Sequence, residues 1–424
     1  MERKNEDKKR TYDQFSQCSP IKDSEENIDP NEKRMKMIED ALENDPSKQP
    51  IQITRSTSAQ LVSKTGHKGF LDPKSMNNQS ESGVLVQGET QLKAPCTMSN
   101  FLKFRNSEIE YAFVDKTLFI KEIMQHHDPS MLILRPRRWG KSINLSMLYY
   151  YLSNRHGHLF QKLFSGTKIL EDKQFEARHA NKYPVIYLDF SIFPPSFAKD
   201  KDWPINGFSA SLYKVQRNYE NIIKNSTRIS NRIKMNALRY GDQENNEHIA
   251  MVILDWMDAL KGHYGEDVII LIDEYDFPIL KEKNKNLEIL LRLYQNFLSG
   301  LKAHTGIIAK SVITGCASVV LTNTLLGLNN FDSYSMLDEH FHEFYGFSHE
   351  EAEGLIELIR GVKIDEDEKR KIKSYYDGYV CPNGSKRTKI YNPYSIVRYA
   401  DSGEENDYSI KTDSNLERVI LKKK

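Results

Sequence analysis

The sequence predicts an α/β fold, a mostly parallel sheet with helices packed on its faces. Three observations predict it. Two apolar runs, Met131-Leu132-Ile133-Leu134 and Val268-Ile269-Ile270-Leu271-Ile272, are short and unbroken, as strands buried on both faces are. The first leads into Arg135-Pro136-Arg137-Arg138-Trp139-Gly140-Lys141-Ser142 and the second ends in Asp273-Glu274. Charged and glycine-bearing segments thus gather at the carboxyl ends of strands, where open α/β sheets bind ligands. Around these runs, helix, turn and strand alternate, which is the repeating unit of a parallel sheet.

In chain order, residues 1–95 are rich in Lys, Glu, Asp, Asn, Ser and Gln, and are expected to form a disordered polar tail that buries too little to offset its ordering entropy. From Asp115, the positions Leu118, Phe119, Ile120, Ile123 and Met124 form a helical stripe, capped by Asp115 and ended at His126-His127-Asp128-Pro129. His126 and His127 read as exposed end residues rather than metal ligands, because sequence neighbours do not share a helix face. After Ser142, the residues Ile143, Leu145, Met147, Leu148 and Leu152 predict a helix, with Tyr149-Tyr150-Tyr151 as packing bulk. Pro184–Phe190 follows as a strand whose Asp189 serves either as a loop cap, the commoner role, or as a group near the phosphates. From Phe208 to His263 the pattern is helical, with a polar interruption at Tyr240–Glu247. Leu287, Leu290, Leu291, Tyr294, Phe297 and Leu298 then share one helix face before a strand over Gly306–Gly315 that carries Thr314 near its end. Beyond Gly327, helices with short loops are expected, one opened by a Ser-x-x-Glu capping box at Ser348 and another over Asp365–Tyr375. Tyr376-Asp377-Gly378-Tyr379 and Asn392-Pro393-Tyr394-Ser395 read as turns.

The chain has 424 residues, with 60 Lys+Arg against 59 Asp+Glu and a formal charge of +1. That balance argues against a global electrostatic pull toward nucleic acid. Cys18, Cys96, Cys316 and Cys381 lack any CxxC spacing, so neither a zinc site nor a disulfide framework is indicated. No stretch has the apolar length of a membrane span, and the charged N-terminus lacks the apolar core of a signal peptide. The expectation is an intracellular protein without a membrane partner, cytoplasmic or nuclear, with Lys8-Lys9-Arg10 and Lys33-Arg34 as loose matches to an import signal.

Gly140-Lys141-Ser142 at a strand-to-helix junction aims backbone N–H groups, an ammonium and a helix N-terminus at one phosphate site. Arg135 stands where such a loop ordinarily begins with glycine, so only its second half is kept. An acidic pair ending a buried strand supplies what phosphoryl transfer also needs. On this reading the ligands are ATP and Mg²⁺. Backbone groups from Arg138, Trp139, Gly140, Lys141 and Ser142 hold phosphate, and Lys141 neutralises it. Ser142 and Asp273 hold the metal, and Glu274 is the general base. Thr314 senses the γ-phosphate or orients water, its bland alternative being a turn cap.

These segments, with Tyr111–Thr117, Ile313–Val319, Gly327–Phe331 and Tyr376–Ser395, resemble the AAA-ATPase-like family from Asn100 to about Asp401. Arginine in place of the first glycine and an aromatic before Gly-Lys-Ser are usual in that family. The resemblance implies a P-loop NTPase sheet over 96–335, a small helical lid over 336–401 and a flexible end over 402–424. Members often carry a nuclease-like domain after Asn-Pro-Tyr-Ser; only about 30 residues follow Asn392, too few for another core, so no nuclease activity is expected. The reading is therefore a Mg-dependent ATPase, with a protein partner or self-association left open. Two alternatives also stay open: an ATP-binding conformational switch with little hydrolysis, and a nucleic-acid-binding module that uses the basic loop.

Overall fold

The computed structural model describes residues 92–191, 203–238, 246–281, 287–316, 331–376, 379–383, 386–406 and 408. All belong to the second of two units into which the chain divides, residues 50–424. The tail up to residue 91, most of the polar interruption at Tyr240–Glu247, nearly all of the Gly327–Phe331 segment and the end beyond 408 lie outside the described residues. Residues 92–95, which the expected tail included, are among the described residues. Leu92 is buried, and Lys93 exchanges backbone hydrogen bonds with Glu110 and Ala112.

Five strands, β1 (Ser130–Leu134), β2 (Val185–Asp189), β3 (Val268–Asp273), β4 (Ile308–Gly315) and β5 (Asp332–Tyr334), form one sheet in the order β2-β3-β4-β1-β5, with every pair parallel. Side chains alternate across a strand, so each run feeds two cores. Leu132, Leu134, Ile270, Ile272 and Ile313 face one core; Met131, Ile133, Ile269, Leu271 and Val312 face the other. This explains why the runs read as continuous rather than alternating hydrophobic sequence.

The helices cover both faces. On one side lie α1 (Phe101–Arg105), α2 (Leu118–Gln125), α3 (Lys141–Leu152), α4 (Phe160–Phe164) and α5 (Lys173–His179), which bring Phe119, Leu148, Tyr151, Phe164 and Phe175 to the second core. Opposite lie α6 (Trp203–Asn225), α7 (Asn231–Leu238), α8 (Asn246–Tyr264) and α10 (Leu287–Ala303), joined to the first core through Leu212, Trp256, Tyr294 and Phe297. The short α9 (Phe277–Lys281) follows the acidic end of β3. Asp115 does not cap α2 directly. Its Oδ1 accepts from the Thr117 backbone and hydroxyl and its Oδ2 from Lys168 N, tying the approach to α2 to a neighbouring turn.

After α11 (His342–Tyr345), the amphipathic α12 (His349–Arg360), α13 (Glu366–Tyr376) and α14 (Pro393–Ser402) build a third core from Leu355, Ile356, Ile359, Ile372, Ile396 and Tyr399. Leu92, Ala112 and Val114 complete it. Ser348 and Glu351 form the expected reciprocal capping box. The segment 336–401, expected to be helical, also holds β6 (Tyr379–Asn383) and β7 (Lys386–Ile390), which pair antiparallel between α13 and α14. Asn392 is the side-chain cap of α14, with Pro393 at the first helical position.

Candidate functional site

The loop 135–140 leaves β1 between its neighbours β4 and β5 and enters α3. Its left-handed residues are Arg138, at φ +68°, and Gly140, at φ +76°. Arg135 is not among the positive-φ positions, so the chain needs no glycine there. Instead the Arg135 side chain is buried and spreads beneath the loop. Nη1 donates to the carbonyls of Leu134 and Tyr334, both at 2.8 Å, Nη2 donates to that of His340 at 3.0 Å, and the guanidinium lies 5.0 Å from the Tyr345 ring centre. A residue that departs from the usual loop pattern thus pins β1, β5 and the loop after β5 together.

Trp139 is also buried and sets its indole edge-to-face against Tyr379, at 4.7 Å. Of its groups, the backbone is what the loop itself can present to a ligand. The Arg138 guanidinium stacks 4.6 Å over Tyr394, which ties the loop to α14. A left-handed non-glycine residue costs about 1 kcal/mol, and this stacking offsets part of that.

Lys141 begins α3 and is buried. Its Nζ lies 3.1 Å from Arg135 O, Pro136 O and Cys316 Sγ, and 3.7 Å from Glu274 Oε1. Burial alone would lower its pKa, but the Cys316 sulfur and the Glu274 carboxylate more than offset that and hold the ammonium above its ordinary value. Cys316 was not singled out from sequence, although it stands only two places beyond Thr314. Burial, with Glu274 and Asp276 beside it, pushes its thiol up to about 12 against the pull of Lys141, so it stays protonated.

Asp273 ends β3 fully buried, directly across from Asp189 of β2. Its Oδ1 accepts the Thr314 hydroxyl at 2.6 Å and the Glu274 backbone N–H at 3.1 Å, and the Ser142 hydroxyl reaches the same carboxylate. Burial, then the charges of Asp189 and Glu274, push Asp273 up to about 7 despite those hydrogen bonds. Asp189 accepts Ser191 N and Oγ, as a loop cap does, and lies across from Asp273. Glu274 sits at φ +49°, a strained turn that swings its carboxylate toward Lys141. Asp276, buried one turn on, accepts Cys316 N at 2.9 Å and so holds the end of β4 against β3. The two strand ends approach closely there, since a Cβ on Gly315 would lie 2.4 Å from the Tyr275 ring.

Lys141, Ser142, Asp273, Glu274 and Thr314 therefore meet at one place, although Thr314 turns its hydroxyl onto Asp273 rather than into open space. Lys141, Ser142, Asp273 and Glu274 line a cleft of about 610 Å³, with Thr314 behind Asp273; Met98, Val114, Phe347, Leu355 and Val397 give the cleft its apolar lining. The oxygens of Ser142, Thr314, Asp273 and Asp189 make an all-oxygen donor set of the kind a hard divalent cation takes, and such a cation would relieve the repulsion that raises Asp273. Among the described residues no helix is long and apolar enough to cross a membrane.

A family model described as "Predicted AAA-ATPase" matches residues 95–325. An uncharacterized protein in the vnfD 5' region of Azotobacter chroococcum is 24% identical over 324 residues, 76% of this chain and 54% of its own length. The chain thus spans about half the length of the curated relative it matches. Among solved structures, a Walker-type ATPase of Pyrococcus abyssi is 14% identical at a TM-score of 0.36, covering 70% of this chain and 69% of that one.

Proposed function

The chain belongs to the AAA-ATPase-like family, and from that premise we propose that the cleft binds Mg-ATP and hydrolyses it. The observation that carries the reading is the meeting of Lys141 Nζ with Glu274 Oε1 at 3.7 Å beside the buried Asp273. A cation at the start of a helix and two carboxylates at the end of a strand are the groups that phosphate binding and water activation require.

Phosphate oxygens would accept from the backbone N–H groups of Arg138 to Ser142 and from Lys141, which would exchange its loop carbonyls and Cys316 for the ligand. The apolar lining of the cleft would take the base. Ser142 and Asp273 would hold Mg²⁺, which when bound neutralises charge on the phosphates. Released from Lys141, Glu274 would accept the proton of the attacking water, and Thr314 would keep Asp273 oriented. Arg138 would report loop geometry to the lid through Tyr394.

The test is phosphate release from Mg-ATP by the wild type and by Glu274→Gln. We expect slow turnover that falls at least about 100-fold in the variant while ATP binding persists. Wild-type binding without turnover under any condition would instead favour a nucleotide-dependent switch.

A further inference from the structure

At the opposite end of β1 from the phosphate loop, the sequence suggested that His126 and His127 are merely exposed helix-end residues. His127 is exposed, but His126 is 8% exposed, and its Nε2 is buried without a hydrogen-bond partner. A buried imidazole nitrogen left unsatisfied costs free energy unless something occupies it.

Its surroundings supply the rest of a binding site. Glu122 stands four residues earlier on α2, hence on the same face as His126. His340 comes from the loop after β5, and one ligand atom each of Glu122, His126 and His340 lies within 4.8 Å of the other two. Among the described residues, neither the Glu122 carboxylate nor the His340 ring takes a side-chain hydrogen bond. His126 Nδ1 accepts from the Asp128 backbone N–H at 3.3 Å and lies 3.5 Å from Asp128 Oδ2. A cation bound at Nε2 would shift the ring proton to Nδ1, toward the Asp128 carboxylate, the arrangement that orients histidine ligands in metal sites. Asp128 is in turn fixed by the Tyr334 hydroxyl.

We propose that Glu122, His126 and His340 form a binding site for a divalent transition metal of the zinc type, with Asp128 as the group that orients His126. Two imidazoles and a carboxylate suit such an ion and leave a fourth position for water. Metal–ligand distances of about 2.0–2.1 Å put tetrahedral ligands about 3.3 Å apart, so the three groups need only draw together by rotamer changes of Glu122 and the exposed His340. Lys310 is the opposing charge nearby, but its Nζ is directed at the carbonyls of His126 and Asp128. A second grouping, His126 with His127 and Asp128, is weaker because Asp128 is already committed to Tyr334 and His126.

The consequence is structural. The His340 carbonyl accepts from Arg135 beneath the phosphate loop, and Phe341 next to it is left-handed at φ +66°. An ion on His340 would fasten this strained segment to the end of α2, independently of whether nucleotide is bound.

The test uses the full chain, untagged, stripped with a chelator that is then removed, and titrated with Zn²⁺ against a chromophoric competitor without nucleotide. One equivalent should bind and raise the melting temperature, and Co²⁺ should give ligand-field absorption. His340→Ala and Glu122→Gln should each weaken binding at least about 10-fold while melting like the metal-free wild type. Absence of stoichiometric binding, or wild-type affinity in both folded variants, would overturn the site and place any bound zinc on others of the 12 histidines.

Discussion

The two ends of β1 handle buried charge in opposite ways. At the carboxyl end, Lys141 rests on two loop carbonyls, a thiol and a carboxylate, the partners that the proposed phosphate would replace. At the amino end, Lys310 is held by carbonyls of its own core, and Asp128 by the hydroxyl of Tyr334 and the ring of His126. On the proposed reading the first set is exchanged for nucleotide, whereas the second stays in place. Arg135 belongs to the second kind although it lies in the loop of the first, and that is why an arginine can stand where other loops have glycine.

Replacing Arg135 should therefore have the largest effect on stability. Arg135→Ala leaves three carbonyls without their donor and a void against Tyr345, and should cost about 3–5 kcal/mol in denaturant melts. Arg135→Lys should recover little, since a point ammonium cannot span the carbonyls of Tyr334 and His340. A neutral Arg135→Ala would mean that the carbonyls find other donors.

Asp273 offers a test with a definite sign. Its folded pKa, about 7, lies above the unfolded value of about 3.9, so the folded state holds the proton more tightly. That contribution is complete below the unfolded value and is lost as pH rises from about 4 through about 7. Nucleotide-free wild type should therefore lose stability relative to Asp273→Asn over this window. By pH 8 the variant should melt several degrees higher, while its use of Mg²⁺ is impaired. A constant difference across the window would show that Asp273 ionises freely.

Smaller effects are expected where the loop and the C-terminal helices meet water. Tyr394→Ala removes the stack under Arg138 and should weaken ATP binding by about tenfold or less, an effect of about 1 kcal/mol. Ser348→Ala breaks the capping box of α12 and should cost about 1 kcal/mol, with no change in nucleotide affinity.

Much of the fold was legible because the strands bury both faces, so Met131–Leu134 and Val268–Ile272 announce themselves without any partner. The meeting of Lys141 with Asp273 and Glu274 was legible for the same reason: strand ends are where a parallel sheet gathers its polar groups. What stayed hidden depends on distant chain. The burial of Arg135 rests on the carbonyls of Tyr334 and His340, and that of His126 on Tyr334 and Phe341, none of which has a local signal. The pairing of β6 with β7 has no clear local signal, since Pro382 within β6 argues against a strand there. Cys316 was passed over because a single cysteine carries no spacing, and only the folded β3 and β4 bring it to Lys141.

The central claim is that Lys141 trades its internal partners for phosphate. Calorimetric titration of wild type and Lys141→Ala with Mg-ATP tests it most directly. The account predicts saturable binding by the wild type and at least about 100-fold weaker binding by a variant that melts like it. A folded Lys141→Ala protein that binds Mg-ATP with wild-type affinity would contradict it.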